Sequence, residues 1–77
     1  MAILLYVRKN SESESAVVYD FGDDYENFVR TLTIETSSQQ PRPDDGFYDH
    51  QFYDAARRIL GLKRERGQWP ERGMIAS

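Results

Sequence analysis

Apolar and polar positions alternate from the start of this chain. In "MAILLYVRK", Ile3, Leu5 and Val7 fall on one face, and Leu4, Tyr6 and Arg8 on the other. A period of two predicts a strand over residues 2–9. "NSESES", Asn10 to Ser15, is polar throughout and predicts a solvated hairpin connection. Ala16 to Phe21 returns to alternation, with Val17, Tyr19 and Phe21 sharing a face. Gly22, Asp23 and Asp24 then offer residues that tolerate the positive φ of a tight reversal.

The next stretch fits two periods. Tyr25, Phe28, Val29 and Leu32 stand at i, i+3, i+4 and i+7, a helical stripe, while Phe28, Leu32 and Ile34 also share one face of a strand. Thr31, Thr33, Thr36, Val29 and Ile34 are branched at Cβ and stiff at χ1, which favours β structure. The prediction is a strand from about Asn27 to Thr36, entered through a helical turn. "SSQQPRPDDG" predicts a loop over 37–48, because Pro41 and Pro43 lack a ladder donor and constrain their neighbours.

A helix is predicted over 49–66, with Phe52, Ala55, Ala56, Ile59 and Leu62 as its apolar stripe. Asp44, Asp45 and Asp49 lie near its positive end, and Lys63, Arg64 and Arg66 near its negative end. Gly67 suits the residue just past the helix, and Pro70 forbids continuation. The expected domain is thus a small α+β unit: a β-meander over 1–36, the loop, the helix, and a C-terminal tail over 67–77. One helix cannot cover both faces of the sheet. Trp69, Met74 and Ile75 are therefore expected to fold back, covering what remains or adding a short fourth strand. The competing reading is a mobile tail that orders only on a partner.

Size and composition narrow the picture. At 77 residues the chain is one domain with little core to spend. It has no cysteine, so disulfides and thiolate metal sites are excluded. No apolar run reaches the roughly 20 residues that span a bilayer, and the charges of "MAILLYVRK" follow its apolar stretch, the wrong order for a signal peptide. A cytoplasmic protein that does not engage membranes, monomeric or a small homo-oligomer, is the expectation.

Net charge is −3, but it is segregated: +2 over residues 1–10, −9 over 11–54 and +4 over 55–77. Such asymmetry bears on partner choice, unless the blocks neutralise each other in space. "DDGFYDHQFYD", Asp44 to Asp54, holds the only histidine among carboxylates and aromatics. An EF-hand alignment on Gly46 puts Pro41, Pro43 and Phe52 at ligand positions, so that motif is excluded. His50 and Asp54 share a helix face, yet two ligands do not specify a metal site. Asp45 or Asp49 as a helix cap explains the acids more simply. There is no glycine-rich phosphate loop and no nucleophile with an evident base. The expectation is a protein without catalytic activity and without a cofactor.

Two interaction readings remain. "YDFGDDYENF" and "DDGFYDHQFYD" interleave acids with aromatics, the composition of binding hot spots steered toward a basic partner. The candidate residues are Tyr19, Asp20, Asp23, Asp24, Tyr25, Glu26, Asp44, Asp45, Tyr48 and Tyr53. The expected role is that of a small acidic inhibitor of the immunity or antitoxin type, against the alternative that Tyr19, Phe21, Phe28 and Phe52 are simply core. The second reading is a nucleic-acid surface on Arg57, Arg58, Arg64, Arg66 and Arg72, opposed by a pI near 5.0.

Overall fold

The computed structural model describes residues 3–24, 26 and 28–76. Its elements run β1 (Ile3–Glu12), β2 (Ala16–Gly22), β3 (Arg30–Glu35), β4 (Gln40–Pro43), α1 (His50–Arg66) and β5 (Arg72–Ala76). All strands join one antiparallel sheet in the order β4-β3-β2-β1-β5. The domain is a small α+β unit in which the C-terminal segment returns to pair with the first strand.

The period-two faces meet as the sequence implies. Leu5 and Val7, then Val17, Tyr19 and Phe21, then Leu32 and Ile34, line one side of the sheet. Phe52, Ala55, Ala56 and Ile59 of α1 seal that side, each nearly or fully buried. The helix begins where its cap allows: Asp49 accepts a hydrogen bond from the Phe52 N–H at 3.0 Å. It ends at Gly67, whose φ of 77° lets its N–H reach the Lys63 carbonyl at 2.8 Å.

Two boundaries differ from expectation. β1 does not stop at Lys9 but continues to Glu12, across a register shift between Lys9 and Ser11. The bulge absorbs polar "NSE" without flipping the core residues, because the extra residue resets the period. The predicted strand start at Asn27 lies outside the described residues, as does Tyr25 of the helical stripe. Described pairing of β3 begins at Arg30, and no helix forms over the described part of this stretch.

The loop expected over 37–48 is corrected: residues 40–43 form β4 despite two prolines. The ladder explains this. Asp44 N–H donates to the Thr31 carbonyl, and Arg42 and Gln40 face Thr33 and Glu35 at the same alternation. Pro41 and Pro43 occupy the intervening positions, opposite Ile34 and Leu32, where a strand nitrogen turns away from its partner. β4 lies at the sheet's edge, the one place where prolines are tolerated in this way.

The tail folds back, though not to cover the second face. Lys9 N–H donates to the Glu71 carbonyl, and β5 then pairs with β1 through Tyr6–Met74 and Leu5–Ile75. Ile75 and Trp69 pack against the core on the helix side. Met74 instead faces outward beside Tyr6 and is 52% exposed, so it adds little to the core. A Cβ at Gly73 would stand 3.1 Å from Val7 Cγ2 and 3.2 Å from Leu62 Cδ1. The helix and β5 approach across a residue that has no side chain. Deep inside, the Tyr19 hydroxyl donates to the Pro70 carbonyl at 2.5 Å.

Deleting residues 67–77 should abolish cooperative unfolding. The deletion removes an edge strand, the Pro70 acceptor and two apolar side chains worth roughly 1.5–3 kcal/mol each when fully buried. Tyr19→Phe is a finer probe. It leaves a buried carbonyl without its donor and should cost about 1–2 kcal/mol. Each kcal/mol corresponds to a fall of roughly 4–8 °C in Tm at this size. Thermal melts of both variants by circular dichroism test the tail's role.

Candidate functional site

Arg30 organises one end of the molecule. It opens β3 on the helix side of the sheet, its guanidinium 4.6 Å from the Phe21 ring centroid. Nε and Nη2 donate to the two Asp45 oxygens at 2.8 and 3.2 Å, and Nη1 to Asp49 at 2.9 Å. The Gln51 side chain and the Phe47 carbonyl accept the remaining bonds at 2.9 and 3.0 Å. The Asp45 carboxyl is held below the usual range by the Arg30 side chain and then by the Phe47 N–H. Asp49 is lowered first by the Phe52 N–H and then by Arg30. Asp44 accepts from the Thr31 and Thr33 hydroxyls at 2.6 and 2.9 Å. Gly46, at φ +80°, makes the turn between these anchors.

This fixed loop presents aromatic surface. Phe47, Tyr48 and Tyr53 are 68%, 56% and 49% exposed. Tyr48 stands edge-on to the buried Phe52 ring at 5.4 Å, and Tyr53 lies 6.3 Å from Tyr48. The rings of Tyr48 and Tyr53 therefore rest on a core ring. Asp23, Asp24 and Glu26, all exposed, occupy the β2–β3 connection. The Phe21–Arg30 pairing puts that connection at the same end of the sheet. Glu26 lines a cleft with Arg8, Arg58 and Arg66 instead. Asp44, Asp45, Tyr48 and Tyr53 thus share the loop and the helix start, with Asp23 and Asp24 at the same end of the sheet. Phe47, missed in the sequence, joins them; its place next to a turn glycine and off the helical stripe was the available signal.

Two of the proposed contact residues are corrected. Tyr19 is fully buried, and its ring belongs to the core. Burial pushes its phenol well above the ordinary range, so it remains a donor to Pro70. Asp20 is 7% exposed and points to the opposite side of the sheet, held by Arg8 at 3.0 Å and Asn10 at 2.9 Å. Alternation along β2 forces this outcome: a core Tyr19 turns Asp20 away from it. Tyr25 lies outside the described residues.

The basic residues separate as well. Arg58 and Arg66 of α1 and Arg72 of β5 line a cleft of about 810 Å³, joined by Arg8, which the sequence reading had not included. Tyr6, Phe28, Leu62 and Met74 supply its apolar wall. The Arg8 guanidinium sits 4.6 Å from the Phe28 ring centroid. Arg57 and Arg64 do not line this cleft, and Arg57 pairs loosely with Asp54 at 3.8 Å. Among the described residues that is the one ion pair between the acidic middle and the basic C-terminal block; Lys9 bridges Glu12 and Glu71 instead. The blocks do not cancel. Among the described residues, no three His, Asp or Glu side chains are grouped to hold a metal ion, and no helix is long and apolar enough to cross a membrane.

No protein-family model, curated protein or solved structure matches the chain. The geometry alone carries the reading.

Arg30→Met keeps the stem over Phe21 and removes the charge. Its Tm at neutral pH should fall by roughly 5 °C or more. The pH profile gives a second readout. Depressed carboxyls stabilise the fold above their ordinary value near 3.9, and that stability is lost as pH falls through the lowered native values. The acid-side decline of the variant should be shallower than that of the parent, without vanishing, because Asp49 keeps its Phe52 bond. Thermal melts from pH 2 to 7 measure both effects.

Proposed function

We propose that the protein is a non-enzymatic interaction module whose acidic, aromatic end docks on a basic surface of a partner protein, in the manner of an inhibitory or immunity-type protein. The observation that carries this reading is the trio Phe47, Tyr48 and Tyr53, exposed within seven residues across the loop pinned by Arg30 and the first turn of α1. Exposed aromatic anchors cost little entropy to dock when they are already ordered, and each gives large contact area. The exposed acids Asp23 and Asp24, at the same end of the sheet, serve as the trio's charged rim. A rim of this kind speeds encounter with a cationic partner and rejects anionic ones.

The non-enzymatic part of the reading rests on the sequence, which holds no glycine-rich phosphate loop and no nucleophile with an evident base.

The test is affinity capture on the immobilised protein, followed by binding measurements on the recovered partner. Replacing Phe47, Tyr48 and Tyr53 together by Ala should weaken the complex about 30-fold or more, the scale of a hot-spot loss of roughly 2 kcal/mol. Asp23→Lys with Asp24→Lys should slow association and flatten its salt dependence while leaving dissociation nearly unchanged. Unchanged affinity in the aromatic triple variant, with its Tm preserved, defeats the proposal.

A further inference from the structure

We infer that the outer edge of β5 is a second docking site, one that takes an extended acidic segment of a partner protein as a sixth strand. The inference is independent of the acidic end and uses surface of opposite sign.

The two edges of the sheet are not equivalent. β4 carries Pro41 and Pro43, which present no N–H to a further strand. β5, "RGMIA", contains no proline and ends the sheet on the other side. Its inner side pairs with β1, so its outer backbone groups face away from the sheet. An extended peptide satisfies such groups by continuing the ladder.

The surroundings select the peptide's chemistry. The cleft beside β5 is walled on both sides of the strand. Arg58 and Arg66 come from the helix side, while Arg8 and Tyr6 come from the opposite face. Side chains of an added strand alternate between these two walls. Arg58, Arg66 and Arg72 take part in no ion pair with a described residue, and Glu26 is the lone acid in the wall. Acidic side chains at alternate positions, on the helix side, therefore meet the free guanidiniums of Arg58 and Arg66, with the bidentate geometry that arginine offers a carboxylate. Exposed Met74, which faces the same way as Tyr6, gives an apolar seat for a small aliphatic side chain. A second copy of this chain fits poorly, since β5 against β5 brings two sets of unpaired arginines together.

The probe is a fluorescein-labelled peptide alternating Glu with Val, followed by anisotropy against the full chain. Binding is expected at low salt, weakened about tenfold by Arg58→Gln with Arg66→Gln. The same peptide N-methylated at alternate residues keeps its charge and loses the ladder donors and acceptor access, so it should not bind. Circular dichroism establishes that the variant chain is folded. Three results overturn the inference. One is no binding at millimolar protein. Another is equal binding of the N-methylated peptide, which reduces the site to charge attraction. The third is preferential binding of labelled single-stranded oligonucleotide or a concentration-dependent dimer, lost in the same variant, which assigns the cleft to nucleic acid or to a second copy.

Discussion

A single helix must seal a five-stranded sheet, and its stripe is too narrow to do so alone. α1 packs chiefly across β1, β2 and β5. The β3–β4 half is secured by other means. Pro43 is buried opposite Leu32, and Arg30 reaches from β3 to the helix cap and the preceding loop. Without that clasp the helix start would be free to lift from the sheet. The same clasp holds the aromatic loop, so stability and the proposed recognition rest on one guanidinium. A charge-dense clasp of this kind is held by geometry and by several hydrogen bonds together, since an isolated exposed pair contributes little.

Much of this architecture was legible from residue order. Period-two alternation placed the core faces of β1 and β2, and the helix was bounded correctly because Asp49 and Gly67 carry signals that depend only on local chemistry. β4 was not legible. Whether a proline is tolerated depends on which ladder position it occupies and whether the strand is an edge, and both are set by partners distant in sequence. The polar run after Lys9 misled for a similar reason: a bulge shifts the register without leaving a compositional mark. The candidate surface was half legible. Aromatic and acidic content picked out segments that carry exposed rings and carboxylates, but exposure within β2 was decided by strand parity, which buries Tyr19 while Tyr48 and Tyr53 stay exposed. Arg8 and Arg72, more than sixty residues apart, meet only because β5 returns to β1.

The charge map takes its shape from the same topology. The acidic connections gather where β2 gives way to β3 and β4 to α1, while the arginines of α1 and β5 share the flank beside the last strand. Internal pairing consumes Asp20, Asp45 and Asp49 but leaves the two poles distinct. A net charge of −3 thus conceals an uneven distribution of charge over the surface.

The prolines of β4 also set how copies of the molecule can associate. Open-ended growth of cross-strand fibres needs two competent edges, one to receive the next molecule and one to offer to it. Here one edge is shut by Pro41 and Pro43. If two copies met through β5, both remaining rims would be of the closed kind, and stacking would end at a pair. The longest strand array this fold can build through its own edges is therefore finite. Two edge prolines that interrupt no helix act as a terminator of polymerisation.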